Sequence, residues 1–292
     1  MMKYFIPRLV FKLYFTICKA SGGRDSKLAK WFARNVTQRV GLVPLQRCGL
    51  YLELNPISFV DWCLMARGGF EPDVRRVVEC ALADGGIMLD IGANIGVFSL
   101  AAAALPDVTV FSFEPSPREL QRLHRNVALN ASLPIVIFPF ACSTEERVDT
   151  LNLASSDNPG ANSMAAVPYS DDFEAIQIRS FNPCDVLQPA TFERVRLVKI
   201  DVEGYEKVVL QGLQSAMAHL VQAVFVIEIN PNCVLVDSDV TSAESIYQQM
   251  QAGGFQSLFG VGTDRADAEG KYDELFFHPD FYNSDQLHGW FR

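Results

Sequence analysis

The sequence lacks the cysteine and histidine groupings that hold transition metals in proteins. Its seven cysteines contain no C-x-x-C pair, and its four histidines are spread along the chain. Thiolate metal sites need ligands at short spacing, so no such site is expected. An odd, dispersed set of cysteines among apolar neighbours is typical of reduced, buried thiols in a cytoplasmic protein.

Long uninterrupted hydrophobic runs are also absent. Residues 1–20 are apolar enough to suggest a signal peptide or a membrane span, but Arg8 and Lys12 interrupt them and no small-residue cleavage site follows. Neither interpretation is therefore expected. On a helix that starts at Pro7, these two residues and Lys19 form a basic stripe on an otherwise apolar surface. We favour docking of this helix on the protein body or in a dimer; peripheral contact with an anionic membrane is the alternative.

Positive charge is scarce after residue 50. Residues 1–50 carry a net charge of +9 and residues 51–292 carry −18, which together give the −9 of the chain. An acidic body repels phosphate backbones, so nucleic acid is not an expected partner. With 49% apolar and 20% charged residues, the composition excludes collagen-like, coiled-coil and wholly disordered chains.

The chain divides into two regions, a mainly helical extension and cap over residues 1–84 and a main domain over residues 85–292. In the main domain, short apolar runs alternate with amphipathic helices, which predicts an α/β fold with a doubly wound, largely parallel sheet. The seven runs are 87–91, 108–113, 135–140, 195–200, 223–229, 255–259 and 272–277. The last two flank a Gly/Asp-rich turn, so an antiparallel edge is expected. Residues 143–190 break the alternation and are expected to form an insertion that reaches over the carboxyl edge of the sheet.

The first run ends in an acid and a glycine loop. In L-D-I-G-A-N-I-G, residues 89–96, a strand ends at Asp90, the chain turns at Gly92 and Gly96, and a helix begins. Such a loop brings backbone amides close to a ligand, although glycine turns also serve packing alone. The glycines are four apart, unlike the dinucleotide fingerprint G-x-G-x-x-G. A nicotinamide-dependent oxidoreductase is therefore disfavoured; a non-catalytic binding module docked through the basic residues 1–50 is another alternative.

A second acid closes the next strand, in F-E-P at 113–115. Glu114 follows the glycine loop by about twenty residues, where an acid accepts hydrogen bonds from two ribose hydroxyls. For Glu114 alone, the alternative is an acid beside the amino end of the helix that begins at Ser116 and Pro117. Because the glycine loop precedes it, we prefer a ribose-bearing cofactor.

A third block, K-I-D-V-E-G-Y-E at 199–206, closes the fourth strand and leads into L-Q-G-L. Asp201 and Glu203 project from the carboxyl end of this strand, where open α/β sheets bind their ligands. The two acids are therefore expected in the same crevice as the glycine loop.

Four features in this order resemble the FkbM family of S-adenosylmethionine (SAM)-dependent methyltransferases. They are the glycine loop, the F-E-P, Asn126 with Asn130 in the following helix, and K-I-D-V-E-G-Y-E leading to L-Q-G-L. The resemblance covers about residues 85–280 and does not extend to residues 1–84. It implies a class I methyltransferase (Rossmann-like) fold with a seven-stranded sheet whose last strand is antiparallel. It also implies O-methylation of a small molecule or glycan, such as a sugar, a polyketide or a related metabolite.

The resemblance further implies a SAM site. The glycine loop would surround the methionine portion, the F-E-P would hold the ribose, and the chain after the third strand would border the adenine. The residues expected to bind SAM are Asp90, Gly92, Ala93, Asn94, Gly96, Glu114, Pro115, Ser116, Ala141 and Cys142.

Transfer to a hydroxyl also needs a proton acceptor. Asp201 is our first candidate because it closes the fourth strand; helix capping or holding the cofactor's amino group are its alternative roles. Glu203, Glu228 and His278 are further candidates. Asp201, Glu228 and Asn230 could also hold a divalent cation. We prefer a hydrogen-bonding role for Glu228, because the cation site is inferred only from the predicted order of the strands.

Overall fold

The computed structural model describes residues 5–21, 23, 26–32, 35, 43–47, 49–54, 58–66, 69–153, 162–164, 174–229, 242–260 and 272–291. The helices are α1 (Phe5–Ala20), α2 (Lys27–Phe32), α3 (Phe59–Ala66), α4 (Pro72–Ala81), α5 (Val97–Ala103), α6 (Pro117–Leu129), α7 (Pro183–Val186), α8 (Pro189–Phe192), α9 (Glu206–Gly212), α10 (Ser242–Ala252) and α11 (Ser284–Gly289), with a 3-10 helix at Gln214–His219. The strands are β1 (Val43–Arg47), β2 (Leu50–Leu54), β3 (Gly86–Ile91), β4 (Val108–Phe113), β5 (Ile135–Phe138), β6 (Ala141–Cys142), β7 (Arg147–Leu153), β8 (Glu174–Phe181), β9 (Val195–Ile200), β10 (Val224–Ile229), β11 (Gln256–Ser257) and β12 (Tyr272–Phe277).

Seven strands form the central sheet in the order β11-β12-β10-β9-β3-β4-β5. The pairs from β10 to β5 are parallel, whereas β12 runs antiparallel to both β10 and β11. This confirms the predicted doubly wound sheet with its antiparallel last strand. Strand order reverses between β9 and β3, and such a switch point opens a crevice at the carboxyl ends of the parallel strands.

Helices cover both faces of the sheet, which explains why its strands are apolar throughout. Ile87, Leu89 and Ile91 of β3 pack in the cluster that includes α9 and α10. Met88 packs on the other face, with α4 and α5. Side chains alternate along a strand, so Asp90 also faces α4 and α5.

The region before residue 85 shares a hydrophobic cluster with the loop and helix that follow β3. Leu50, Leu52 and Leu54 of β2 are buried in this cluster together with Ile95 and Leu100. Side chains thus cross the boundary drawn between the two regions of the sequence.

Helix α1 buries one side and exposes another. Phe11 joins the cluster of β2, and Tyr14 and Cys18 pack with α2. Leu13 is 51% exposed, and Lys12 is exposed beside it. Contact of this outer side with a membrane or a second copy stays a prediction. No helix in the described parts of the chain has the length and apolar character needed to cross a membrane.

Asn126 of α6 and Asn130, which follows the helix, hold β2 in place. Asn126 Oδ1 accepts from the amide of Glu53 at 2.8 Å, and its Nδ2 donates to the carbonyl of Ile95 at 2.8 Å. Asn130 Nδ2 donates to the carbonyl of Tyr51 at 2.7 Å, and its Oδ1 accepts from the Tyr51 amide at 3.1 Å. The two side chains therefore satisfy backbone groups of β2 as a neighbouring strand would.

A buried ion pair makes a second connection between α6 and the N-terminal region. Arg122 Nη2 donates to Asp61 Oδ1 at 2.9 Å and Oδ2 at 2.8 Å, and it also reaches the Glu53 carbonyl at 2.9 Å. The side chains of Arg122 and Asp61 are 10% and 1% exposed. Ser58 Oγ accepts from the Asp61 amide at 3.1 Å at the start of α3, so the helix start positions the acid.

We expect Asp61→Asn to destabilise the protein by about 3–5 kcal/mol, because it leaves the Arg122 charge buried without its carboxylate. Urea unfolding followed by circular dichroism measures this loss. Arg125→Ala is the control, since Arg125 is 49% exposed and lies 3.6 Å from Glu53. Its loss should stay below about 1 kcal/mol. Equal unfolding midpoints for the two variants would contradict a structural role for the buried pair.

Candidate active site

The glycine loop after β3 is fixed by backbone contacts. The amides of Gly92 and Ala93 both donate to the carbonyl of Phe113 at 3.0 Å. Gly92 has a φ of 85°, in the left-handed region that favours glycine. A Cβ on Gly92 would lie 1.8 Å from the carbonyl oxygen of Asp201. Only glycine therefore lets this loop touch the end of β9, which brings the first and third sequence motifs together.

Glu114 is nearly buried at the end of β4 and holds the loop from the other side. Its Oε2 accepts from the amide of Asn94 at 2.8 Å, and its Oε1 accepts from the amide of Ser116 at 2.8 Å. Burial raises the pKa of Glu114 to about 8, although both amide hydrogen bonds lower it. Each carboxylate oxygen keeps a second lone pair, so the group fits two ribose hydroxyls.

The residues predicted to border adenine lie in a short strand just before the insertion. Ala141 and Cys142 form β6, which pairs in parallel with Ser180 and Phe181 of β8. Both residues are buried, and burial raises the pKa of the Cys142 thiol well above its usual value. Their role beside adenine, like that of Pro115, stays a prediction.

A buried lysine links the acids of the crevice. Lys199 is 3% exposed and donates to Asp201 Oδ2 at 2.7 Å. It lies in register with Asp90 on the neighbouring strand, and its Nζ lies 5.0 Å from the ring centroid of Phe98. Burial lowers its pKa, but the charges of Asp201, Glu71 and Asp90 outweigh burial and raise it above the usual value. Lys199 is therefore a permanent positive charge under the crevice.

Asp90 lies near the end of β3 and is hydrogen-bonded to Ser99 of α5. It is 1% exposed, and its Oδ2 accepts from Ser99 Oγ, which in turn lies 2.8 Å from Ser112 Oγ. Its Oδ1 has no hydrogen-bond partner among the described residues. Burial raises the pKa of Asp90, and the nearby Lys199 lowers it. Direct contact of Asp90 with SAM stays a prediction.

Three carboxylates meet at the ends of β9 and β10. One oxygen each of Asp201, Glu203 and Glu228 lies within 4.8 Å of the others. Glu228 stands opposite Asp273 of β12 in the strand register. Asn230, which the sequence placed with this group, lies outside the described residues. The structure thus brings Asp201, Glu203 and Glu228 together at the carboxyl edge of the sheet.

Sequence reasoning missed Glu71. It directly precedes α4 and has a φ of 40°, a backbone conformation that residues other than glycine rarely adopt. Its Oε2 is buried and has no hydrogen-bond partner among the described residues. Its pKa is raised to about 8, mainly by burial; the charges of Asp273, Asp201 and Glu203 contribute to the rise, and Lys199 opposes it. The sequence E-P marks a helix start but carries no signal of function.

His278 is not in the crevice. In the antiparallel pairing, Tyr272 stands opposite Ile229 at the end of β10, and Phe276 stands opposite Phe225 near its start. His278 follows β12 and therefore lies at the amino edge of the parallel strands, where its ring contacts Phe255. The prediction of His278 as a base is wrong, because the last strand carries it to the opposite edge of the sheet.

Described residues of the insertion contact residues of the site; its reach over the whole crevice stays a prediction. Its strands β7 and β8 pair antiparallel and form a small sheet with β6. Ser163 Oγ donates to the carbonyl of Glu203 at 2.5 Å. Asn162 Nδ2 donates to Glu119 Oε2 at 3.0 Å, and Glu119 also accepts from Ser116 Oγ. Two adjacent residues of the insertion thus contact Glu203 at one end of the site and Glu119, which is hydrogen-bonded to Ser116, at the other.

The sheet, the glycine loop and the acid after β4 define a class I, Rossmann-like SAM-dependent methyltransferase. The sequence model of the family described as the methyltransferase FkbM domain matches residues 90–257. The chain therefore belongs to the FkbM methyltransferase family.

Two curated relatives illustrate the similarity. The chain is 28% identical over 193 residues to the 31-O-demethyl-FK506 methyltransferase FkbM of Streptomyces tacrolimicus, covering 57% of this chain and 68% of the relative. It is 24% identical over 147 residues to the hexuronic acid methyltransferase AglP of Haloferax volcanii, covering 50% of this chain and 58% of the relative. Among solved structures, M. jannaschii TYW2 in complex with AdoMet has 12% identity and a TM-score of 0.42, over 81% of this chain and 84% of that one.

We expect Glu114→Ala to weaken binding of S-adenosylhomocysteine by about tenfold or more, because two hydrogen bonds from ribose hydroxyls to a carboxylate are lost. Isothermal titration calorimetry measures the dissociation constant. Glu193→Ala is the control, since this acid is 64% exposed and precedes β9. Unchanged affinity of Glu114→Ala would exclude the ribose role.

Proposed function

We propose that the protein transfers a methyl group from SAM to a hydroxyl oxygen of a small molecule or glycan. One observation carries the proposal. The loop and Glu114 form one half of the crevice, and Asp201, Glu203 and Glu228 form the other half with carboxylate oxygens within 4.8 Å of one another. The relative named for a 31-O-demethyl substrate supports an oxygen acceptor, and the relative named for hexuronic acid supports a glycan.

The chain's residues divide between holding the cofactor and handling the acceptor proton. When bound, SAM supplies a methyl group that its sulfonium already activates. The glycine loop would hold the methionine portion, and Glu114 would accept the ribose hydroxyls. What remains for the protein is to align the acceptor oxygen and to take up its proton.

Asp201 is the first candidate for that proton because its position is fixed. Its amide donates to the Ile91 carbonyl at 3.0 Å, and Lys199 holds its Oδ2. The carboxylate keeps Oδ1 for a ligand, and its side chain is 27% exposed. The loop that follows is also held, since Glu206 Oε1 accepts from the Gly204 amide at 2.9 Å.

We expect Asp201→Asn to lower turnover by about a hundredfold or more, which is the usual contribution of a positioned base. Affinity for S-adenosylhomocysteine should change much less. Turnover is measured as transfer of labelled methyl from SAM to a panel of macrocyclic alcohols and hexuronic acid glycosides. Asp185→Asn, an exposed acid in α7, is the control. Equal losses in turnover and affinity would assign Asp201 to the cofactor instead, and binding of NAD in place of S-adenosylhomocysteine would exclude the proposed function.

The three carboxylates also have the chemistry of a divalent cation site. A cation bound to Asp201 would lie close to the Lys199 ammonium, which stands 2.7 Å from Oδ2. Repulsion of this kind costs about 4 kcal/mol per unit charge at 4 Å in a partly buried site. We therefore propose that Asp201 works beside the ammonium and without a cation.

Treatment with EDTA is accordingly expected to leave methyl transfer unchanged. The same acceptor panel and labelled SAM provide the measurement, in buffer freed of metal ions. Loss of transfer that Mn²⁺ restores would show that the carboxylates hold a cation and that the acceptor proton is released by metal binding.

A further inference from the structure

Glu71 lies near the acids of the crevice, although it is outside the part of the chain that matches the family. The matched residues are 90–257, and Glu71 precedes α4 in the N-terminal region. The pair of Arg122 with Asp61 and the contacts of Asn126 hold this region against α6. Phe70, next to Glu71, packs against the hydrophobic cluster of the same region.

The conformation of Glu71 is unusual for its residue type. A φ of 40° places Cβ close to the backbone, and such left-handed residues persist only where the surrounding structure fixes them. Oε2 of Glu71 is buried without a hydrogen-bond partner among the described residues. A buried polar oxygen in that state is unfavourable until a ligand donates to it.

The charges around Glu71 indicate what such a ligand carries. Asp201, Glu203 and Asp273 face it with negative charge, and Lys199 is the cation that faces it. Lys199 already donates to Asp201 at 2.7 Å. Because the pKa of Glu71 is raised to about 8, a positively charged donor suits it best, since such a donor also favours its ionised form.

We propose that Glu71 binds the methyl acceptor, with its carboxyl group hydrogen-bonded to a polar group of the acceptor that lies next to the hydroxyl whose proton Asp201 takes. This proposal rests on the proposed function, because Asp201 and Glu203 beside it mark the acceptor end of the crevice. It makes the segment before α4 a determinant of acceptor choice. Glu71 touches the acceptor in this assignment, whereas Lys199 acts through Asp201.

The test uses a cofactor analogue, so it does not depend on the identity of the acceptor. Sinefungin carries an ammonium group where SAM carries the transferred methyl, and S-adenosylhomocysteine carries nothing there. Calorimetry in EDTA buffer compares the two ligands on the full chain. We expect Glu71→Gln to weaken sinefungin by about tenfold and to leave S-adenosylhomocysteine within about twofold, because one charged hydrogen bond is lost.

Two further variants complete the design. Glu71→Asn removes the same carboxylate with a residue that adopts left-handed backbone readily, so it replaces Glu71→Gln if that variant does not fold. Asp73→Asn, an exposed acid of the same helix, should bind both ligands like the wild type. An unchanged ratio of the two affinities in the folded Glu71 variant would overturn the proposal. Failure of the wild-type chain to bind either ligand would overturn the proposed function itself.

Discussion

The site depends on one buried ammonium group. Lys199 is 3% exposed, and a charge so far from water is tolerated only when carboxylates surround it. Asp201 directly follows the strand of Lys199, Asp90 lies near the end of the neighbouring strand, and Glu71 lies in the N-terminal region; the charges of all three stabilise the ammonium. The dependence is mutual, because acids this close would repel one another without the cation between them. Position 199 therefore constrains where the acids of the crevice stand.

The register of the sheet explains how this arrangement follows from the sequence. β9 lies beside β3, which places Lys199 opposite Asp90, and alternation turns both toward α4 and α5. The close contact of Gly92 with the Asp201 carbonyl then fixes the two loops against each other. Gly92 is therefore required by packing against Asp201 as well as by the close approach of a cofactor. Its presence alone does not distinguish a packing role from a cofactor-binding role.

Prediction from the sequence succeeded where the signal is local. The alternation of apolar runs located the strands of the sheet. Because a strand end fixes where the next residue lies, the strand ends also placed Glu114, Asp201 and Glu228 at the crevice. It failed where position depends on distant pairing. His278 follows β12, and only the antiparallel direction of that strand shows that it lies at the opposite edge of the sheet from the crevice. Glu71 has no periodic or motif signal, since it precedes a helix in a region without recognised motifs.

Residues that identify the family are not all residues of the crevice. Asn126 and Asn130 hold β2 through backbone hydrogen bonds, and so they attach the N-terminal region to the sheet. Phe70, the residue before Glu71, packs against the cluster that contains β2. On the other side, Ser163 of the insertion contacts the Glu203 carbonyl. The crevice is therefore bounded by two segments that carry none of the family's motifs, whereas the cofactor side is built from residues that carry them. A fold that keeps one side constant and varies the other can retain methyl transfer while its acceptor changes.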